Sequence, residues 1–156
     1  MITLEQFKSN AIERGICKVL DDWNNANSKK QLMDVCLSAK GMPYVADAIA
    51  AGWGVSPEII VKDFHRFNDG RYVRDMDGYT SAMWCWPTDS IIHVDTTCAL
   101  IINHKGTVVV DRPITELLIV NSDVIVKGQG VAKVHLYNST VINPDERVVV
   151  ESKKEY

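Results

Sequence analysis

Asp95 and Asp111 are the acids whose spacing could bring two carboxylates together. Each ends a short β-branched run, Ile91-Ile92-His93-Val94-Asp95 and Thr107-Val108-Val109-Val110-Asp111. Arg112 follows the second, and Lys127 ends a third run, Asp123-Val124-Ile125-Val126-Lys127. Strands stacked about 4.8 Å apart set such acids side by side, with Lys127 placed to relieve their repulsion. Acids and bases on a stacked face can cleave polysaccharides. That chemistry needs groups converging in a cleft, and no cleft-forming loops are legible. The chain therefore reads as non-enzymatic, with no cofactor, and a carbohydrate-binding or carbohydrate-active protein is kept as an alternative.

Other reactive residue types are scattered. His65, His93, His104 and His135 lack the spacing of a metal-ligand set, although His93 can neighbour Val109 in a column. Asp69-Gly70 and Asp75-Met76-Asp77-Gly78 read as turns rather than calcium loops, because the twelfth position from Asp75 is Trp86 instead of a glutamate. Cys17, Cys36, Cys85 and Cys98 are 19, 49 and 13 residues apart, which suits neither a zinc site nor a dense disulfide framework and points to reduced, partly buried thiols. No Gly-rich phosphate loop or Gly-x-Ser-x-Gly elbow is present.

The elements that carry these residues repeat. Leu118-Ile119-Val120-Asn121-Ser122 lies over His135-Leu136-Tyr137-Asn138-Ser139 at an offset of 17, and Leu100-Ile101-Ile102-Asn103 lies over Leu118-Ile119-Val120-Asn121 at 18. A second series starts at Ile91, Thr107, Asp123 and Thr140, with steps of 16, 16 and 17. Strands this short bury an apolar face only when stacked on copies of themselves. Two interleaved series at one period predict a two-faced parallel β-solenoid, with an antiparallel β-sandwich as the alternative. Ile101, Ile119 and Leu136 form one predicted column, and Val108, Val124 and Val141 another. Asn103, Asn121 and Asn138 form a corner column, since Asn tolerates the left-handed backbone of a tight turn. Met83 and Trp84 precede Leu100 and Ile101 by 17, which makes Tyr79 to Trp86 the first coil or its seal.

The N-terminal third reads as helices. Thr3 and Gln6 form a capping box, opening a stripe of Leu4, Phe7, Ala11, Ile12, Ile16, Val19 and Leu20, weakened at Gly15. Ser28 caps a second helix facing inward with Leu32, Val35, Cys36 and Ala39 and ended by Gly41. Pro43 opens a third, Tyr44 to Ala51. Ser56 and Pro57 open a fourth, with Ile59, Ile60, Phe64 and Phe67 inward. The boundaries are a helical subdomain at 1–70, a solenoid with its N-terminal hairpin at 71–150, and a charged tail at 151–156, the fold class being α+β. The helices and the aromatics Trp53, Tyr79, Trp84 and Trp86 are expected to cap the N-terminal end of the stack, and the tail to protect the other end. Helices three and four, at 43–67, also have the layout of a helix-turn-helix. The exposed side of its second helix, Glu58, Lys62, Asp63, His65 and Arg66, is near-neutral, which disfavours nucleic acid.

Among 156 residues, 46% are hydrophobic and the net charge is −3, split as −2 over residues 1–90 and −1 over 91–156. Neither half is basic enough for a phosphate-binding surface. No apolar run is long enough to cross a membrane, and the N-terminus lacks the pattern of a signal peptide, so a cytoplasmic protein is expected.

Four stretches carry a resemblance: Ser28-Lys29-Lys30-Gln31-Leu32-Met33-Asp34; Ala48-Ile49-Ala50-Ala51-Gly52-Trp53-Gly54-Val55-Ser56-Pro57-Glu58; Asn68-Asp69-Gly70-Arg71-Tyr72-Val73; and Asp77-Gly78-Tyr79-Thr80-Ser81-Ala82-Met83-Trp84-Cys85. Together with Ala132 to Asn138, which looks like the octad repeats of the same group, they resemble a group of small proteins of gut bacteria and their phages or prophages. The resemblance implies a mobile-element protein acting in the host cytoplasm and assigns no residue a role. The resulting expectation is a non-enzymatic interaction module, a phage or prophage accessory or inhibitor protein that binds a host protein and forms a homo-dimer through solenoid edges. Because Tyr, Trp and Arg dominate binding hot spots, Arg71, Tyr72, Trp86 and Tyr137 are the expected contact residues.

Overall fold

The fold alternates strand by strand between two parallel sheets. In the computed structural model, which describes residues 1–15, 20–64, 72–74, 79–85 and 90–156, the strands are β1 (Tyr72–Arg74), β2 (Ser81–Cys85), β3 (Ile91–Asp95), β4 (Cys98–Ile102), β5 (Thr107–Val110), β6 (Ile114–Val120), β7 (Asp123–Gly128), β8 (Val131–Tyr137), β9 (Thr140–Val141) and β10 (Val148–Lys154). One sheet has the order β1-β3-β5-β7-β9 and the other β10-β8-β6-β4-β2. Each pair is parallel. This is the two-faced parallel solenoid expected from the repeat, not the antiparallel sandwich.

The sheet containing β4 and β6 keeps the sequence offsets. Met83 pairs with Leu100, Leu100 with Leu118, and Leu118 with His135. The other sheet departs from them at one step. Ile91 pairs with Thr107 as expected, but Thr107 pairs with Ile125 rather than Asp123, so Val108 stacks on Val126 and not on Val124. A two-residue slip leaves each side chain on the same face, so the apolar pattern could not distinguish the registers. Both sheets step by 18 residues across the β5–β6 connection through Arg112 and Pro113, which holds the added residue.

The tail also changes. Residues 148–154 form β10, which pairs with β8 through a bulge between Val150 and Ser152, so the charged segment at 151–156 is largely the final strand. Three valines precede it, and their β-branched side chains suit a pleated surface.

The helices are α1 (Leu4–Glu13), α2 (Leu20–Asn25), α3 (Lys29–Leu37), α4 (Gly41–Ala51) and α5 (Pro57–Asp63). The Thr3–Gln6 capping box forms, and Ser28 Oγ accepts the Gln31 N–H at 3.2 Å. α1 is shorter than its stripe predicted: Gly15, at φ +67°, takes a left-handed turn that stops the helix. Ile16, Val19 and Phe67 lie outside the residues whose side chains are described. α3 buries Leu32 and Cys36 as expected, but Met33 and Leu37 too, while Ala39 is exposed. Gly41 opens α4 instead of ending α3, and Pro43 then sits in the first turn, where its missing N–H costs little. Ser56 precedes α5, but its hydroxyl oxygen accepts the Ile2 N–H at 2.6 Å rather than capping the helix.

The placement of the helices corrects the expectation that they cap the stack. By alternation, Met83, Leu100, Ile102, Leu118, Val120 and Tyr137 point away from the solenoid interior, yet all are buried. α4 packs against β6 and β8, and α5 against β2, so the helices lie across the outer face of one sheet. Cys98 Sγ lies 3.6 Å from Met42 Sδ, Ser81 Oγ donates to the Leu37 carbonyl at 2.9 Å, and Asn138 Nδ2 donates to the Ala50 carbonyl at 3.1 Å. The expected aromatic cap is dispersed. Trp53 packs on Phe7 in the helical layer, with ring centroids 5.6 Å apart. Tyr79 bonds Asp34 of α3, Trp84 is buried in the first coil over Ile101, and Trp86 lies outside the described residues. The molecule thus has two apolar layers, one inside the solenoid and one between helices and sheet. We call the helix-packed sheet the covered sheet and the other the open sheet.

Candidate functional site

The open sheet presents its outer face to solvent. Alternation sends Ile91, His93 and Asp95 of β3 outward, with Thr107 and Val109 of β5 and Ile125 and Lys127 of β7. The registers assemble them into columns. Ile91, Thr107 and Ile125 are successive neighbours in one, continued by Ile142, whose N–H donates to the Val124 carbonyl at 2.8 Å. Tyr72, His93, Val109 and Lys127 form the next. Ile91 is 48% exposed, Ile142 60% and Tyr72 39%. A run of aliphatic and aromatic groups therefore lies uncovered on a flat sheet.

A polar margin borders it. The rings of Tyr72 and His93 stack at 4.9 Å, and the Arg74 guanidinium lies 4.8 Å from the Tyr72 ring centre. His93 Nδ1 is 3.3 Å from an Asp111 carboxylate oxygen, and Arg112 Nε donates to Asp95 at 2.9 Å. Asp95 and Asp111 do lie at the same edge, but Lys127 stands beside Val109 and does not relieve them. Arg112 pairs with Asp95, and His93 lies against Asp111. Each acid is engaged by a basic group on a flat face, whereas cavities of about 510 and 340 Å3 lie on the helical side, along α4.

Of the four expected contact residues, Tyr72 reaches this face. Tyr137 does not: it is 3% exposed, covered by α4 and by Lys154, whose Nζ lies 5.7 Å from its ring centre. Burial pushes its hydroxyl up to about 12. It was expected at a contact because tyrosines dominate hot spots, but it is the last outward residue of β8 and lies under the helices. Arg71 and Trp86 fall outside the described residues, as do His65, Asp69-Gly70 and Asp75 to Gly78.

A second polar cluster, not anticipated, spans three strands of the covered sheet. His135 Nε2 is 2.9 Å from Glu116 Oε1, and His135 Nδ1 is 3.0 Å from Ser152 Oγ. Lys154 Nζ donates to Asp47 at 3.3 Å, the Tyr156 hydroxyl bonds the same carboxylate, and the Tyr156 N–H donates to Asn138 Oδ1 at 2.7 Å. These bonds tie β10 to β8, β6 and α4. The signal was present: His135 plus 17 is Ser152, one more step of the period. The run of charges around it hid the strand.

The remaining candidates are structural. α5 has seven residues, buries Ile60, and pairs its buried Asp63 with Lys29 at 2.6 Å, so both helices of the would-be DNA motif are engaged within the molecule. Burial pushes the thiols of Cys36, Cys85 and Cys98 up to about 12, leaving them as thiols at neutral pH. Among the described residues, no three His, Cys, Asp or Glu side chains group as a metal site, and no helix is long and apolar enough to cross a membrane. Compared with family models, curated proteins and solved structures, the chain has no significant match.

Proposed function

We propose that the protein is a non-enzymatic interaction module that binds a folded protein partner through the outer face of the open sheet. The observation that carries this reading is the pair of exposed isoleucines, Ile91 and Ile142, at the two ends of a column that runs through Thr107 and half-buried Ile125, beside exposed Tyr72, on the sheet that the helices leave bare. Exposed apolar groups with a polar rim are the anatomy of a protein interface, and a rigid sheet binds without ordering itself first. Arg74, Asp95, Asp111 and Arg112 supply a margin of both charge signs that sets orientation more than affinity. The partner we propose is a host protein in the bacterial cytoplasm, with the chain acting as a phage or prophage accessory or inhibitor. This last step rests on the resemblance of the four sequence stretches.

The test is capture of a partner from bacterial lysate by tagged wild-type protein and by Ile91→Asp and Ile142→Asp. Both residues are exposed, so the variants keep the wild-type melting temperature. We expect one stoichiometric partner, bound at least about 30-fold more weakly by each variant, the loss typical of a hot-spot residue. A partner retained equally by all three proteins places the binding surface elsewhere.

A further inference from the structure

We infer that β10 is a self-association edge, pairing antiparallel with β10 of a second copy about a twofold axis through Ser152. This edge lies at one end of the stack and is separate from the open-sheet face, so either reading can fail without the other. β10 is a seven-residue strand that pairs with β8 on one side alone. Its other side presents backbone donors and acceptors, the surface through which sheets associate. Protein edges usually carry charges that repel such pairing. Here charges of opposite sign, Glu151 and Lys153, flank the neutral Ser152. Antiparallel pairing centred on Ser152 sets Glu151 of each copy opposite Lys153 of the other, so two attractive pairs flank the axis.

Backbone orientation agrees with that register. The Asn138 N–H donates to the Lys154 carbonyl, so the backbone groups of Lys154 face β8. Alternation then turns those of Lys153 away from β8, toward the free edge, and Glu151, at the bulge, has no partner residue in the β8 register. Both residues are exposed, and the contact of Lys153 with Glu155 of its own chain, at 3.9 Å, is loose. Lys154, by contrast, is held by Asp47. Val149 and Val150 are 42% and 47% exposed and supply apolar area for a second copy to cover. The resulting interface is isologous and closes at two copies. The Ser152–His135–Glu116 bonds and the Asp47 contacts hold this edge in place.

Equilibrium sedimentation over a concentration series tests the register, using wild type, Glu151→Lys, Lys153→Glu and the double exchange Glu151→Lys/Lys153→Glu. Each single change faces like charges across the axis twice, and the double exchange restores both attractions. We expect a wild-type dimer, dissociation constants raised at least tenfold in each single variant, and recovery in the double variant, with unchanged thermal melts throughout. A wild-type chain that stays monomeric at all concentrations overturns the inference. So does a dimer equally strong in all four proteins, or one that the double exchange fails to restore.

Discussion

Asn103, Asn121 and Asn138 hold the same backbone conformation, with φ of 55°, 50° and 51°. Asn adopts this left-handed region at lower cost than most L residues, and the corner of each coil requires it. Asn138 Nδ2 also donates to Asn121 Oδ1 at 3.3 Å, so the column adds a side-chain bond between coils. A serine ladder runs beside it. The His104 N–H donates to Ser122 Oγ and the Ser122 N–H to Ser139 Oγ, while the two hydroxyls donate to the carbonyls of Val120 and Tyr137. The Asn column was legible because its residue type signals a backbone state. The serine ladder was not, because small polar residues suit many turns and its bonds depend on the register. Replacing Asn121 separates the two contributions. Asn121→Ala loses the amide bond and strains the backbone, and is expected to cost about 2 kcal/mol. Asn121→Gly loses the amide alone and is expected to cost about 1 kcal/mol or less. Chemical denaturation of both variants checks the order, and a glycine variant as unstable as the alanine one would remove the backbone argument.

At the scale of elements, strand patterns indicate which faces are covered. Ala99-Leu100-Ile101-Ile102 and Leu117-Leu118-Ile119-Val120 are continuous apolar runs, the pattern of strands buried on both faces. Ile91 to Asp95 alternates, the pattern of a strand with one wet face. The position of the helices was therefore partly written in the strands. It was missed because a helix stripe says that a face is buried and not against what. Besides apolar contact, Tyr79 before β2 ties the layers together by donating its hydroxyl to Asp34 of α3. Burial, then the bond to Asp34, raises the Tyr79 hydroxyl to about 12, and the bond from Tyr79 lowers the Asp34 carboxyl. The donor must keep its proton, so this contribution is complete below the ordinary tyrosine value near 10 and fades as pH rises toward about 12. It also fades in acid, as pH falls from the ordinary carboxylate range through the lowered value of Asp34. Tyr79→Phe is expected to lower the melting temperature by about 2–4 °C at neutral pH, a cost near 1 kcal/mol after allowing for solvent screening. The difference should vanish near pH 12. A gap that persists there would show that the hydroxyl contributes through packing alone.

The whole molecule is an asymmetric stack, with helices on one sheet and solvent on the other. Its parallel architecture, and the period of one of its sheets, could be read from repeated residues. Exposure of a single residue could not, because Tyr72 and Tyr137 are both outward-facing tyrosines at strand ends, and the placement of α4 and Lys154 buries one while the other stays in view. The asymmetry leaves the helical layer packed on one sheet and the outer face of the other sheet bare. The most direct measurement is hydroxyl-radical footprinting of the protein alone and bound to its captured partner. The account predicts that Tyr72, Ile91, His93 and Ile142 lose reactivity severalfold on binding, while exposed positions of the helical layer such as Ile12 do not change. Protection confined to the helical layer, with these four residues as reactive as before, would contradict it.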